Sequence, residues 1–175
     1  MDLINLDDTT RHHMIEEINR DIAGNALYMS RRLSGAGRRV YAALLLDAAE
    51  HGDADSLAAE LRVGGRLNDT ETATRNGRTF TRQVPVNAPE TMAEGEFNRF
   101  YARGLCLRAA EEGIEEVVVY RAKDVANPRS QSEALIGTAV SAARLLEDLR
   151  VSVGIEPGLG IPPGPNSGLS VRLPT

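Results

Sequence analysis

Apolar residues recur at helical spacing from the start of the chain. Met14, Ile15, Ile18 and Ile22 fall on one face of a helix, which places a helix behind 7-DDTT-10. Those acidic and hydroxyl side chains suit the free N–H groups of a first turn, and Gly24-Asn25 closes the helix. Residues 26–33 read as a short connector. Ser34 opens a second helix, with Val40, Tyr41, Leu44, Leu45 and Ala48 along one face. Gly52 ends it. Asp53 or Asp55 then starts a short third helix that holds Leu57 and Leu61, and Gly64-Gly65 stops that one. Residues 1–68 are therefore expected to form a helical unit.

The period then changes. In 70-TETATRNGRTFTRQV-84 threonine is frequent and Asn76-Gly77 sits at the centre, the strongest short hairpin signal. Apart from Phe80 and Val84 the segment holds little that is apolar, so the hairpin is expected to project and to need a neighbour to order it. Residues 87–113 predict the longest helix, with Asn87 as N-cap, Pro89 in the first turn and Phe97, Phe100, Tyr101 and Leu105 on its buried face. Gly95 and Gly104 lie inside it. Each costs about 1 kcal/mol against alanine, so close backbone packing is expected at both. A strand follows at 115-EEVVVYR-121, then a loop at 123–133 and a helix near 141–150. From Gly154 the pattern is extended. Helices and strands do not alternate, so the class is α+β. The expected organisation is one domain over 1–153, with a helical part at 1–68 and a hairpin, helix and strand part at 69–153. An extended Pro/Gly-rich arm follows at 154–175.

Composition narrows the chemistry. The apolar fraction of 42% suffices for a core, but aromatics are only 4% and Trp is absent, so that core rests on Leu, Val, Ile and Ala. A net charge of −5 argues against general affinity for phosphate backbones. Of the twenty basic residues all but Lys123 are arginine, which fits either interface use or a GC-rich genome. The longest apolar run, 40-VYAALLL-46, is too short to cross a bilayer, and the acidic N-terminus is not expected to be a secretory signal. The lone Cys106 excludes an internal disulfide and is expected to be a buried small hydrophobe of a reducing cytoplasm. His12 and His13 point to different sides of a helix and are expected to face solvent. His51, Asp53 and Asp55 are better used in ending and capping helices than in holding a metal. Glu115 and Glu116 face opposite sides of a strand and cannot act as a pair. No catalytic residues, cofactor or metal are expected, and the protein is not expected to be an enzyme.

The C-terminal segment 158-GLGIPPGPNSGLSVRL-173 combines prolines that block ladder hydrogen bonds with glycines that are costly to order. Its apolar residues Leu159, Ile161, Leu169, Val171 and Leu173 are expected to be anchors laid on another subunit, with packing on its own domain as the alternative. Together with Asn76 and Gly77 they form the candidate interface.

Four stretches carry a resemblance: 15-IEEINRDIAGNALYMSRRLS-34, 93-AEGEFNRFYARGLCLRA-109, 118-VVYRAKDVANPRSQSEALIG-137 and 157-PGLGIPPGPNSGLSVRL-173. They resemble small structural proteins encoded among the virion-assembly genes of tailed bacteriophages. The resemblance implies a head or neck component: a head-to-tail adaptor, a minor head protein, or a capsid decoration (cement) protein. It implies a homo-oligomer with portal, capsid or tail proteins as partners, close to packaged DNA, in the virion after assembly in the host cytoplasm and with no membrane partner. It implies no catalytic residue. The alternative of another class is a small DNA-binding regulator using Arg31, Arg32, Arg38 and Arg39; the bland reading of those arginines is a solvated face.

Overall fold

The computed structural model describes residues 1–152 and 167–174. Three helices open the chain, α1 (Asp8–Ala23), α2 (Gly35–His51) and α3 (Ala54–Leu61). Each starts on a side chain suited to the task. The Asp7 carboxylate accepts from the Thr10 amide at 3.0 Å, and the Ser34 hydroxyl from the Gly37 amide at 3.0 Å. Asp53 and Ser56 form a reciprocal capping box, at 2.8 and 2.9 Å. Strands β1 (Thr70–Arg75) and β2 (Arg78–Gln83) follow as an antiparallel hairpin. Asn76 and Gly77 take φ of 51° and 74°, the left-handed pair that a two-residue turn between twisted strands requires.

The remaining elements are α4 (Ala88–Glu111), β3 (Glu116–Arg121), α5 (Ser130–Leu135), β4 (Ala139–Ser141), α6 (Ala142–Val151) and β5 (Leu169–Arg172). The sheet order is β4-β3-β5, antiparallel throughout. Among the described residues six helices and two small antiparallel sheets make an α+β fold. One apolar cluster joins the helical part to the sheet, running from Met14 and Ile18 through Leu45, Leu57, Phe97 and Leu105 to Val119, Leu145 and Val171.

Helix α4 is the centre of the fold, packed against α1, α3, α6, β3 and β5. Every residue from 96 to 106 is buried, so the helix has no solvent face over that stretch. Its enclosed set includes Glu96, Asn98 and Arg103 as well as the expected aromatics. Asn87 sits at the N-cap, but its side chain makes no capping bond; its carbonyl accepts from the Thr91 amide and hydroxyl instead.

The two interior glycines of α4 separate. A Cβ on Gly104 would lie 2.7 Å from the Met14 amide nitrogen and 3.0 Å from the Thr10 carbonyl oxygen, so this glycine lets α1 approach α4 backbone to backbone. A Cβ on Gly95 would meet nothing within 4 Å among the described residues, which give no close packing there. Gly95→Ala is therefore expected to stabilise the protein by up to about 1 kcal/mol through helix propensity. Gly104→Ala is expected to destabilise it by about 1–3 kcal/mol through overpacking against backbone that cannot rotate away. Urea melts of the two variants, which carry the same chemical change nine positions apart, should move in opposite directions.

The C-terminal segment corrects the sequence reading most. Leu169 and Val171, expected as anchors on another subunit, are buried in β5, which pairs with β3 of the same chain. The cause lies in α4. The buried Asn98 amide donates to the Leu169 carbonyl at 3.0 Å and its oxygen accepts from the Ser170 hydroxyl at 2.6 Å. Arg121 holds the Ser167 carbonyl at 3.0 Å, and the Leu173 amide reaches the Asn5 side chain at 2.9 Å. Leu173 is half-buried against the same core. Residues 169–173 are thus part of the domain and not of a free arm, while Leu159 and Ile161 lie outside the described residues. The stretch read as a loop at 123–133 contains the start of α5, and β4 was not foreseen; both are too short to show a period.

Candidate functional site

Helix α4 ends in two differently charged surfaces. At its N-terminal end stands the β1–β2 hairpin. Among the described residues the strands pair with each other and make no substantial packing with any other element. All of β2 is exposed, and so are four of the six residues of β1. Directly opposed residues share a face. One face therefore carries Thr70, Thr72, Thr74, Thr79, Thr81 and Gln83, wholly uncharged; the other carries Glu71, Ala73, Arg75, Arg78, Phe80 and Arg82.

Among the described residues the hairpin is fastened only at its base. The half-buried Glu71 carboxylate accepts from Arg32 at 2.6 Å and from Arg82 at 2.8 Å. The Arg32 hydrogen bond, helped by that of Arg82, outweighs desolvation and holds Glu71 below the usual carboxylate range. Asn68 donates to the carbonyls of Arg31 and Leu33, and Leu33 bridges Leu67. These contacts bring residues 28–39 beside residues 62–84.

The two segments together carry nine arginines against two carboxylates, a net of +7, which Glu60 and Glu90, paired with two of those arginines, bring to +5 at this end. The rest of the chain carries eleven basic and twenty-three acidic residues, a net of −12. Four of the nine arginines are paired: Arg32 and Arg82 with Glu71, Arg62 with Glu90 and Arg66 with Glu60. Among the described residues no carboxylate pairs with the exposed Arg31, Arg38, Arg39, Arg75 or Arg78. Beside the hairpin base a groove of about 410 Å³ runs between Val63, Leu67, Val84 and Val86, with Val86 almost fully exposed.

The other end of α4 is acidic. Glu111 is its last residue, and Glu112, Glu115 and Glu116 follow, all exposed. Asp8 lies beside them, since Arg108 of α4 binds the neighbouring Asp7 carboxylate at 2.7 Å. The C-terminus of α2 closes on the same end, because Arg11 donates to the Ala49 carbonyl at 2.7 Å and the Gly52 carbonyl at 2.9 Å, and it adds the exposed Glu50 and Asp53.

The candidates for chemistry are dispersed. Burial pushes the Cys106 thiol up to about 12, with the Glu17 charge adding to it, so it is a poor nucleophile at neutral pH. His12 faces solvent as expected, but His13 does not: it is buried, 2.9 Å from Glu16 and 3.5 Å from Glu111. The α1–α4 contact covers that side of the helix, which an α1-only view misses. Among the described residues no three His, Cys, Asp or Glu side chains are grouped to hold a metal. No helix among them is long and apolar enough to cross a membrane.

Of the sequence-nominated interface residues, Asn76 and Gly77 lie at the exposed hairpin tip, and Leu169 and Val171 are in the core. Arg31, Arg32, Arg38 and Arg39 lie close together along the chain; their junction with Arg75, Arg78 and Arg82 needs the tertiary structure. Comparison of the chain with protein-family models, curated proteins and solved structures finds no match.

Proposed function

We propose that the protein is a structural assembly component that binds its neighbours through the β1–β2 hairpin. The observation that supports this is the hairpin itself: ten of its twelve strand residues are exposed, on both faces, and among the described residues only its base is fastened to the body. A two-stranded ribbon is at best marginally stable alone, so a partner is the natural source of its order. The resemblance of the chain to virion proteins of tailed bacteriophages supports a partner within a phage particle, with this chain as a head-to-tail adaptor or minor head protein. In this reading the C-terminal residues 169–173 are withdrawn from the interface and the hairpin takes over.

The test is the solution mass of the full chain by light scattering, beside a variant whose hairpin is cut back to the Glu71–Arg82 pair and closed by Asn-Gly. That cut keeps the Arg32 anchor, so the body is expected to melt unchanged. The intact chain is expected to self-associate and the shortened one to remain monomeric. Two stable monomers would overturn the reading.

A further inference from the structure

Resting on that assembly reading, we infer that the hairpin end of one copy docks on the acidic end of a second copy, in a head-to-tail contact driven by charge. The two ends sit at opposite termini of α4, whose 24 residues span about 36 Å. At that separation they cannot neutralise each other within one chain, because salt screens charges beyond about 10 Å. Each end is instead available to the complementary end of a neighbour.

The hairpin tip adds a second observation. Arg75 and Arg78 are directly opposed in the strand register, exposed on one face and without a carboxylate partner among the described residues. Like charges directly opposite each other destabilise a strand pair. Here they do so at the turn of a ribbon that, among the described residues, is fastened only at its base, a cost that an anionic surface at the tip would remove. Nucleic acid could offer such a surface. The second copy is favoured because the molecule carries the counter-surface itself and because the net charge outside the basic end is strongly negative. A contact between two different patches on identical chains is heterologous, so repetition closes a ring or extends a filament.

The test uses two charge reversals at exposed positions, Arg75→Glu with Arg78→Glu, and Glu115→Arg with Glu116→Arg, each checked for an unchanged melting temperature. Each variant alone is expected to self-associate about 100-fold or more weakly than the natural chain. An equal mixture is expected to recover association beyond that of either variant alone, because the natural ends of the two variants still match and the reversed hairpin of one complements the reversed end of the other. Association of the natural chain is expected to weaken as salt rises. If the natural chain associates and both variants do so equally well, the charge pairing is wrong while the assembly reading stands. If the natural chain never associates, both fall. If a random duplex DNA binds the natural chain and not the Arg75→Glu/Arg78→Glu variant, with self-association unchanged, the basic end belongs to nucleic acid and the inference is overturned.

Discussion

Arg103→Ala is expected to destabilise the protein by about 3–5 kcal/mol, the range for breaking a buried ion pair by removing one partner. Arg103 is 1% exposed and lies between α4 and α1. Its Nε donates to Glu17 at 2.8 Å, and its two terminal nitrogens donate to Asp21 at 2.6 and 2.8 Å. The guanidinium also lies 4.8 Å from the centre of the Phe100 ring. Alanine removes all of these and leaves two carboxylates in a dry interface. Arg150 still donates to Glu17 at 3.0 Å, but nothing comparable remains for Asp21. Burial alone would raise the Glu17 carboxyl; the hydrogen bonds and charges of Arg150 and Arg103 outweigh it and hold the group below its ordinary value. A depressed carboxyl contributes stability that is present above its unfolded value of about 4.5 and is lost as pH falls through the folded one. Urea melts at pH 7 check the size of the loss. The triple variant Arg103→Met, Glu17→Met, Asp21→Leu separates the causes: an apolar replacement of the whole set should recover more than half of the loss if stranded charge is responsible. A loss below about 1 kcal/mol for Arg103→Ala would show that the cluster is not closed to water.

Glu96 has the opposite sign. It lies on the enclosed stretch of α4, 6% exposed, with Arg99 at 3.8 Å. Burial pushes its carboxyl up to about 7, against the pull of the Arg99 and Arg103 charges and with a further push from Asp21. Between about pH 4.5 and 7 the folded chain thus keeps a proton that the unfolded chain has lost, and stability falls as pH rises through that window. At 1.36 kcal/mol per pKa unit the fall is about 3 kcal/mol, complete above pH 7. Glu96→Gln cannot ionise. It is expected to match the natural protein near pH 4.5, to be more stable by up to about 3 kcal/mol at pH 8, and to flatten the profile between. Glu17 acts in the opposite direction, losing stability on the acid side as pH falls through its lowered carboxyl. Thermal melts from pH 4 to 8 on both chains check the Glu96 effect; parallel profiles would show that Glu96 is hydrated in the folded state.

Both predictions concern groups that sequence patterns did not single out. Glu17 and Asp21 look like ordinary polar positions of an amphipathic α1, and Arg103 like the solvent side of α4. What the residues alone determine here is local. Asp7, Ser34 and Asp53 cap helices because a side-chain oxygen two or three residues from a free amide needs nothing else. Asn76-Gly77 turns the hairpin because those residues tolerate positive φ. The apolar periodicity of α1 and α2 marks Met14 and Ile18, and Tyr41, Leu45 and Ala48, as buried because those stripes turn to the core, while Val40, read on the same face of α2, is exposed.

The tertiary structure decides whatever depends on a second segment. Gly104 meets α1 and Gly95 meets nothing among the described residues, although both read alike along the chain. The final strand reads as a loose arm because its partners, β3 and Asn98, lie about fifty and seventy residues away. The basic end exists because the bridge of Leu33 to Leu67 joins two arginine-rich segments into one surface, and the length of α4 sets it apart from the acidic end. Burial and electrostatics act between neighbours in space, so periodicity and caps reveal elements, and only their packing assigns a charge to the core or to a face that meets a partner.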